Sequence, residues 1–430
     1  MLSRVVCFSV SACFQEVEGS ISDFLVYLCL SQRRMFVKKY ISTTACSFML
    51  AVALLFAWSG VALAAPTSSS AASAGKLTFH RACSATIAVG MAACNALIAY
   101  QSGSSSALAV NPLAHSTGGS APYTPANLHS AYNLPTTASG TPTVAIVDAY
   151  SDPNLASNLT TYRSTYGLPA CTTASGCLRI VNQTGGSSLP RGNTGWGLEE
   201  SLDVDMVSAI CENCHILVVE ATSATLANLG TAVNEAVTLG AIAVSNSYGT
   251  NEFSSESSYC SSFYQHNNVA VTASSGDSGP GVSFPAVCTY VIGVGGTTLQ
   301  SSGTETAWNT SSSEGAGGGC SAFIAKPSWQ SSSITGCSRK AVADVSADAD
   351  PATGVAVYDT YGGYNWVEVG GTSESSPIIA AVFALAGNVA STQFPASLTW
   401  ANYTSGLFEV GGVRYAFQTG LGSPNGTSDF

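Results

Sequence analysis

Four short stretches carry residue types able to do chemistry. Asp148 closes the apolar run Thr143–Val147. Glu199-Glu200-Ser201-Leu202-Asp203 opens a helical pattern, Ser274-Ser275-Gly276-Asp277-Ser278-Gly279 follows a strand-like run, and Gly370-Gly371-Thr372-Ser373-Glu374-Ser375-Ser376-Pro377 leads into an apolar helix. Glycines before Ser373 permit a sharp turn and close approach of a substrate backbone. A helix starting there offers free N–H groups and the positive end of its dipole to a developing oxyanion. Pro377 is expected in the first turn, where its missing N–H costs nothing. Taken alone, this stretch also fits an ordinary Ser/Thr N-cap.

A serine nucleophile needs a base. The five histidines are His80, His115, His129, His215 and His266, and none lies in an H-G-T context after a strand. Carboxyls can take that place. Glu199 and Asp203 are four apart, on one face of a helix. Two such groups in contact share a proton, so one accepts the serine proton at a pH where imidazole is already charged. Glu200 and Asp205 face elsewhere on the same helix. Asp277, in a turn after a strand, can donate a hydrogen bond to an oxyanion only while protonated. Each stretch has a plainer reading too: a solvated acidic helix start, or a turn aspartate between glycines.

Those residues need elements to hold them. Strands are expected at 143–147, 215–219, 241–245, 269–272 and 290–294, and helices at 152–163, 198–210, 224–238 and 376–390. Strands apolar throughout and alternating with helices predict an α/β fold: a mostly parallel sheet with helices on both faces. Ligands bind beyond the carboxyl ends of such strands, where the polar stretches fall. The catalytic-size domain is expected at 122–430, with 65–121 a short Ala/Ser/Gly-rich pro-segment or linker.

The combination resembles the sedolisins, serine-carboxyl peptidases with a subtilisin-like fold. E-x-x-L-D (Glu199, Leu202, Asp203), S-G-D-S-G (Ser275 to Gly279) and G-T-S-x-S-S-P (Gly371 to Pro377) occur in the family's order, joined by Asp344 to Pro351 and Thr353-Gly354. The resemblance covers 122–430. It implies Ser373 as nucleophile, Glu199 as general base and acid with Asp203 coupled to it, and Asp277 in the oxyanion hole. It implies that Ser245, Tyr248, Gly249, Ser275 and Gly276 line the substrate cleft, Tyr248 standing where some relatives have Trp, and that Asp148 extends the carboxylate network. Two departures matter. Relatives have a large pro-domain where this chain has 57 residues between Ala64 and Pro122. Relatives also bind calcium near the C-terminus. Here that stretch reads Leu407 to Gly412 and then Tyr415 to Gly422, with Ala416 at the position of a ligand aspartate, so a degraded site, no metal and no cofactor are expected.

Composition agrees with export. Met35, Lys38 and Lys39, the apolar run Phe48–Trp58 and Ala62-Leu63-Ala64 form a signal peptide over 35–64, too short to span a membrane comfortably, with residues 1–34 an over-extended start before Met35. Beyond Ala64 the ten cysteines fall into neighbouring couples, read as five short-loop disulfides; a metal or redox role for Cys211 and Cys214 is the rival. Five N-x-[ST] sites are present, at Asn158, Asn182, Asn309, Asn402 and Asn425. Net charge is −11 with only 14 Lys+Arg against 25 Asp+Glu, which excludes a nucleic-acid groove. A chain so poor in bases gathers little self-repelling charge in acid. A secreted, monomeric, acid-active endopeptidase on protein or peptide substrates is expected. The alternatives are a catalytically impaired peptide-binding relative and, since Asp277-Ser278-Gly279 fits D-[ST]-G, a pepsin-like peptidase.

Overall fold

Strands that are apolar on both faces must be covered on both, and here they are. The computed structural model describes residues 76–84, 87–114, 122–403 and 405–430, all within the second of two compact units, Ser73–Phe430. The signal peptide, the start before Met35 and His115 lie outside the described residues.

The chain-order elements are β1 (Leu77–Arg81), β2 (Ala93–Cys94), β3 (Leu97–Gln101), α1 (Pro125–Tyr132), β4 (Thr143–Ala149), α2 (Leu155–Thr165), β5 (Leu178–Asn182), α3 (Thr194–Ile210), β6 (His215–Ala221), α4 (Leu226–Thr238), β7 (Ala243–Asn246) and β8 (Tyr248–Asn251). After these come β9 (Ala270–Ser274), β10 (Val291–Leu299), β11 (Glu305–Ala307), β12 (Val345–Asp348), β13 (Val355–Asp359), β14 (Asn365–Gly370) and α5 (Thr372–Ala386). Eight strands form the central sheet in the order β11-β10-β9-β7-β4-β6-β5, with β12 also beside β10. All its pairings are parallel except β10–β11. Alternation along β4 sends Val144 and Ile146 into one core with α3 and α5, and Ala145 and Val147 into the other with α4. Helices on both faces of a mostly parallel sheet match the expected α/β class.

α3 is buried all round, from Trp196 to Ile210. Asn193 caps it, its side chain accepting from the N–H groups of Gly195 and Trp196. A helix packed on every side is normally apolar; this one carries Glu199, Glu200, Asp203 and Asp205 inside. Asp344 is a second buried polar centre. It accepts from Gly293 N, Gln330 Nε2 and Trp400 Nε1 and pairs with buried Lys340 at 3.5 Å. All five expected disulfides are formed: Cys83–Cys94, Cys171–Cys177, Cys211–Cys214, Cys260–Cys288 and Cys320–Cys337. Cys211 and Cys214 are thus spent on each other.

Two expectations need correction, and the stretch expected as pro-segment or linker holds β1 and β3, which continue β14 and β13 into a four-stranded antiparallel sheet. Its strands are short, and only Leu97, Ile98 and Ala99 are buried, so periodicity is weak. α5 starts at Thr372 rather than Ser376, which puts Pro377 inside the helix, past its first turn. Asn158 is 1% exposed and hydrogen-bonded to Asp152, so the folded chain cannot present it for glycosylation.

Candidate active site

The site assembles from the head of α5, the buried face of α3 and the carboxyl ends of β7 and β9. Gly371 caps α5 with φ of 104°, a conformation that favours glycine. A Cβ there would lie 2.1 Å from Asn95 O and 2.7 Å from Asp277 Oδ2, so no other residue fits. Ser373 follows within the first turn, fully buried, its Oγ donating to Ser247 O at 3.1 Å. Pro377 lacks the N–H that would bond Ser373 O four residues back, and Ser247 Oγ donates to that carbonyl instead at 3.3 Å.

Glu199 and Asp203 project from α3 towards this point. Ser247 Oγ lies 2.8 and 2.9 Å from the two Asp203 oxygens. Burial pushes Glu199 well above the usual carboxyl range, and the Asp203 charge raises it further; the nearby Ser373 hydroxyl and the bond from Ala96 N to Oε2 offset part of the rise, while Oε1 has no hydrogen-bond partner. Burial likewise raises Asp203, opposed by Ser247. Asp148 at the end of β4 has no partner on either oxygen, and burial followed by the charges of Asp203 and Glu199 holds it high. A shared proton meets this arrangement, since adjacent buried carboxylates cannot all ionise.

Asp277 meets the helix head at Thr372, the residue before Ser373. Its Oδ1 accepts from Thr372 N at 2.8 Å and Thr372 Oγ1 at 2.7 Å, while Oδ2 is buried without a partner. Burial lifts it to about 6, against the pull of Arg81. The protonated Oδ2 is placed to donate into the space beside Gly371. Asp277 therefore pairs with a threonine and a helix head, not with a second aspartate, and the sheet is parallel; both features contradict the pepsin-like alternative.

Of the expected cleft residues, Gly249, Ser275 and Gly276 line a cavity of about 160 Å³ with Asp277. Gly276 N donates to Thr372 Oγ1 at 3.1 Å. Tyr248 does not line this cavity; its ring is buried, with its hydroxyl on Asn246 and Tyr264. Ser245 does not line the cleft. It lies under α5, 2.9 Å from Ser376 Oγ, because alternation along β7 turns it into the core. Ser247, Thr372, Asn95 and Ala96 were not singled out from the sequence. Thr372 lies inside the stretch Gly370 to Pro377 and Ser247 between Ser245 and Tyr248, and sequence spacing gives no sign of their contacts. Among the described residues, no histidine is hydrogen-bonded to Ser373, Glu199 or Asp203: His129 bonds Leu134 O and Ala209 O, and His266 bonds Phe263 O.

At the C-terminal stretch the residues do not fit a calcium cage. Half-exposed Glu409 pairs with Arg414 at 3.8 Å, and Ala416 closes a tight backbone turn with Gly420. Calcium asks for about 6–8 oxygens.

A parallel sheet with a serine at the head of a buried helix, and carboxyls where an imidazole would stand, defines a subtilisin-like protein with a serine-carboxyl site. The subtilase family model matches residues 181–408. Sedolisin of Pseudomonas sp. (strain 101) is 36% identical over 167 residues, 34% of this chain and 28% of that protein. Kumamolisin of Bacillus sp. (strain MN-32) is 32% identical over 297 residues, 61% of this chain and 51% of the relative. The structure of Pseudomonas sedolisin, a serine-carboxyl proteinase complexed with two molecules of pseudo-iodotyrostatin, matches with a TM-score of 0.59 at 27% identity, over 71% of this chain and 95% of that one. The chain belongs to the subtilase family and within it is similar to the sedolisins. It spans about half or less of the curated relatives' length.

Proposed function

We propose that the chain is a secreted, acid-active serine-carboxyl endopeptidase, working as a monomer on protein or peptide substrates. The observation that carries this is the burial of Ser373 beside a carboxyl pair, Glu199 and Asp203, with a protonatable Asp277 opposite. Glu199 takes the proton of Ser373 as Oγ attacks the carbonyl carbon, with Asp203 and Asp148 behind it sharing charge. Asp277 donates to the oxyanion. Glu199 then gives its proton to the leaving amine, and water hydrolyses the acyl-enzyme by the reverse route.

Export is supported by five disulfides, which require an oxidising compartment. Among the described residues no helix is long and apolar enough to cross a membrane. The test is hydrolysis of a denatured protein at roughly pH 3–5, where carboxyls titrate. Ser373→Ala is expected to lose about 10⁴-fold or more in kcat, and Glu199→Gln to be similarly crippled. Wild-type inactivity across that range would favour the peptide-binding alternative. We also propose that the chain works without calcium. Its thermal midpoint should not move between added calcium and chelator; a reversible calcium-dependent rise would overturn that.

A further inference from the structure

A protonated Asp277 can carry its proton on either oxygen, and the donors around it select one. Oδ1 accepts from Thr372 N at 2.8 Å and from Thr372 Oγ1 at 2.7 Å, while Oδ2 is buried with no partner. Thr372 Oγ1 in turn accepts from Gly276 N at 3.1 Å. A backbone N–H can only donate. A hydroxyl has one proton to give and two lone pairs to accept with. The Gly276 amide therefore aims its proton at Thr372 Oγ1, and the hydroxyl passes its own on to Oδ1. Two donors then fill the two lone pairs of Oδ1, which leaves the acid proton to Oδ2.

Backbone sets the direction of this chain of bonds at both ends, so it cannot reverse. Ser275 N bonds Val294 O at 2.9 Å and Gly317 N bonds Gly276 O at 2.7 Å, which holds the Gly276 amide in place. Gly276 itself has φ of 102°, in the region that favours glycine. At the other end Thr372 is the first residue of α5, and its N–H is one of the four that a helix leaves without an internal partner. Branching at its Cβ restricts χ1, so the hydroxyl is held rather than left to rotate. A Cβ on Gly371 would lie 2.7 Å from Asp277 Oδ2 and 2.1 Å from Asn95 O, so a peptide carbonyl fits in the space that Oδ2 borders.

We propose that Thr372 is a positioning residue for the reaction: its hydroxyl, oriented by the Gly276 amide, confines the Asp277 proton to Oδ2, the oxygen that borders the oxyanion space. This rests on the peptidase reading above. Thr372 acts through Asp277. No covalent bond forms or breaks there; the proton stays on Oδ2 and is offered to the oxyanion as a hydrogen bond. The same Thr372 hydroxyl favours the ionised carboxyl and opposes the effect of burial, so removing it moves the Asp277 titration to higher pH. Two other charged groups act with Asp277: Arg81 on β1, which favours its ionisation, and Glu199 on α3. Both stay in place when Thr372 is changed.

The full chain is assayed on acid-denatured haemoglobin from roughly pH 3 to 8, beside Thr372→Val, Thr372→Ser and the same Thr372→Val change in an Asp277→Ala background. Thr372→Val keeps the shape of the side chain and removes the hydroxyl. It is expected to lose about tenfold or more in kcat at roughly pH 4, with KM within about twofold. Its limb near 6 should move to higher pH. Thr372→Ser should restore kcat to within about threefold and return the limb to its place. In the Asp277→Ala background the valine should cost less than about twofold more, since the group it acts through is gone. A fall in kcat with the limb unmoved, or one equally large in the Asp277→Ala background, overturns the proposal, since the hydroxyl would then serve the helix head alone. Wild-type kcat and limb in Thr372→Val overturn it and leave the peptidase reading standing. If Thr372→Val shows no thermal transition, Thr372→Ala is read by the same criteria. Wild-type protein without hydrolysis across the range overturns this proposal and the peptidase reading together.

Discussion

At the scale of single residues, the site replaces an imidazole with carboxyls whose environments hold protons at unusual pH. Glu199 is raised by burial and by the Asp203 charge, Asp203 by burial, and Asp277 by burial against the attraction of Arg81. In the proposed mechanism Asp277 donates to the oxyanion only below its value of about 6, so its contribution would be complete in acid and lost as pH rises through that value. Asp277→Asn keeps a donor at every pH. It is expected to remove the limb of the pH–kcat profile near 6 with modest loss in acid, whereas Asp277→Ala loses about 10²–10³-fold in acid, a deficit that shrinks as pH rises through about 6. An unchanged limb in Asp277→Asn would assign it to another group.

At the scale of elements, two departures from ordinary helix chemistry support each other. α3 buries its acidic face where an apolar one is usual, and α5 carries a proline inside. The loop between β7 and β8 reconciles them, since Ser247 Oγ serves both Asp203 and the Ser373 carbonyl freed by Pro377. Ser247→Ala leaves its backbone carbonyl in place but strips both partners. Stability should fall by about 1–3 kcal/mol, read as a lower thermal midpoint, and kcat by up to about 10²-fold through misplacement of Ser373. A variant of wild-type stability and rate would show that the hydroxyl bridges nothing of consequence. The motif E-x-x-L-D was legible because residues four apart share a helix face. Ser247 was not, because only the crossing of a loop over two helices gives it a role.

At the scale of the whole molecule, buried carboxyls with raised pKa values dominate. Burial lifts Asp152 to about 6, Glu368 to about 7 and Glu220 to about 8, and a further group around Glu374 and Asp348 is raised well above the ordinary range. In the unfolded chain these groups titrate near 4. A folded value raised above the unfolded one means that the folded state binds more protons in between. Stability from these groups is therefore complete below about pH 4 and is lost as pH rises towards 8. With only 14 Lys+Arg, little positive charge opposes folding in acid. The thermal midpoint of Ser373→Ala, used to suppress self-digestion, should be higher at about pH 3.5 than at about pH 7.5. The reverse order would contradict the burial of protonated carboxyls.

The amino-acid order by itself determined the α/β alternation, the grouping of the ten cysteines into neighbouring couples and the placing of Glu199 and Asp203 on one helix face. These are local: strand and helix periods, short loops and four-residue spacings are set by neighbouring residues. Only the tertiary structure decided that Ser245 supports α5 from below, that Ser247 joins two helices, and that 77–101 forms strands of the domain. It alone brought the Asn95–Ala96 unit, more than a hundred residues before Glu199 in sequence, against that carboxyl. Such contacts depend on where the chain returns to itself, which sequence spacing leaves free because closing a long loop costs little more than closing a short one.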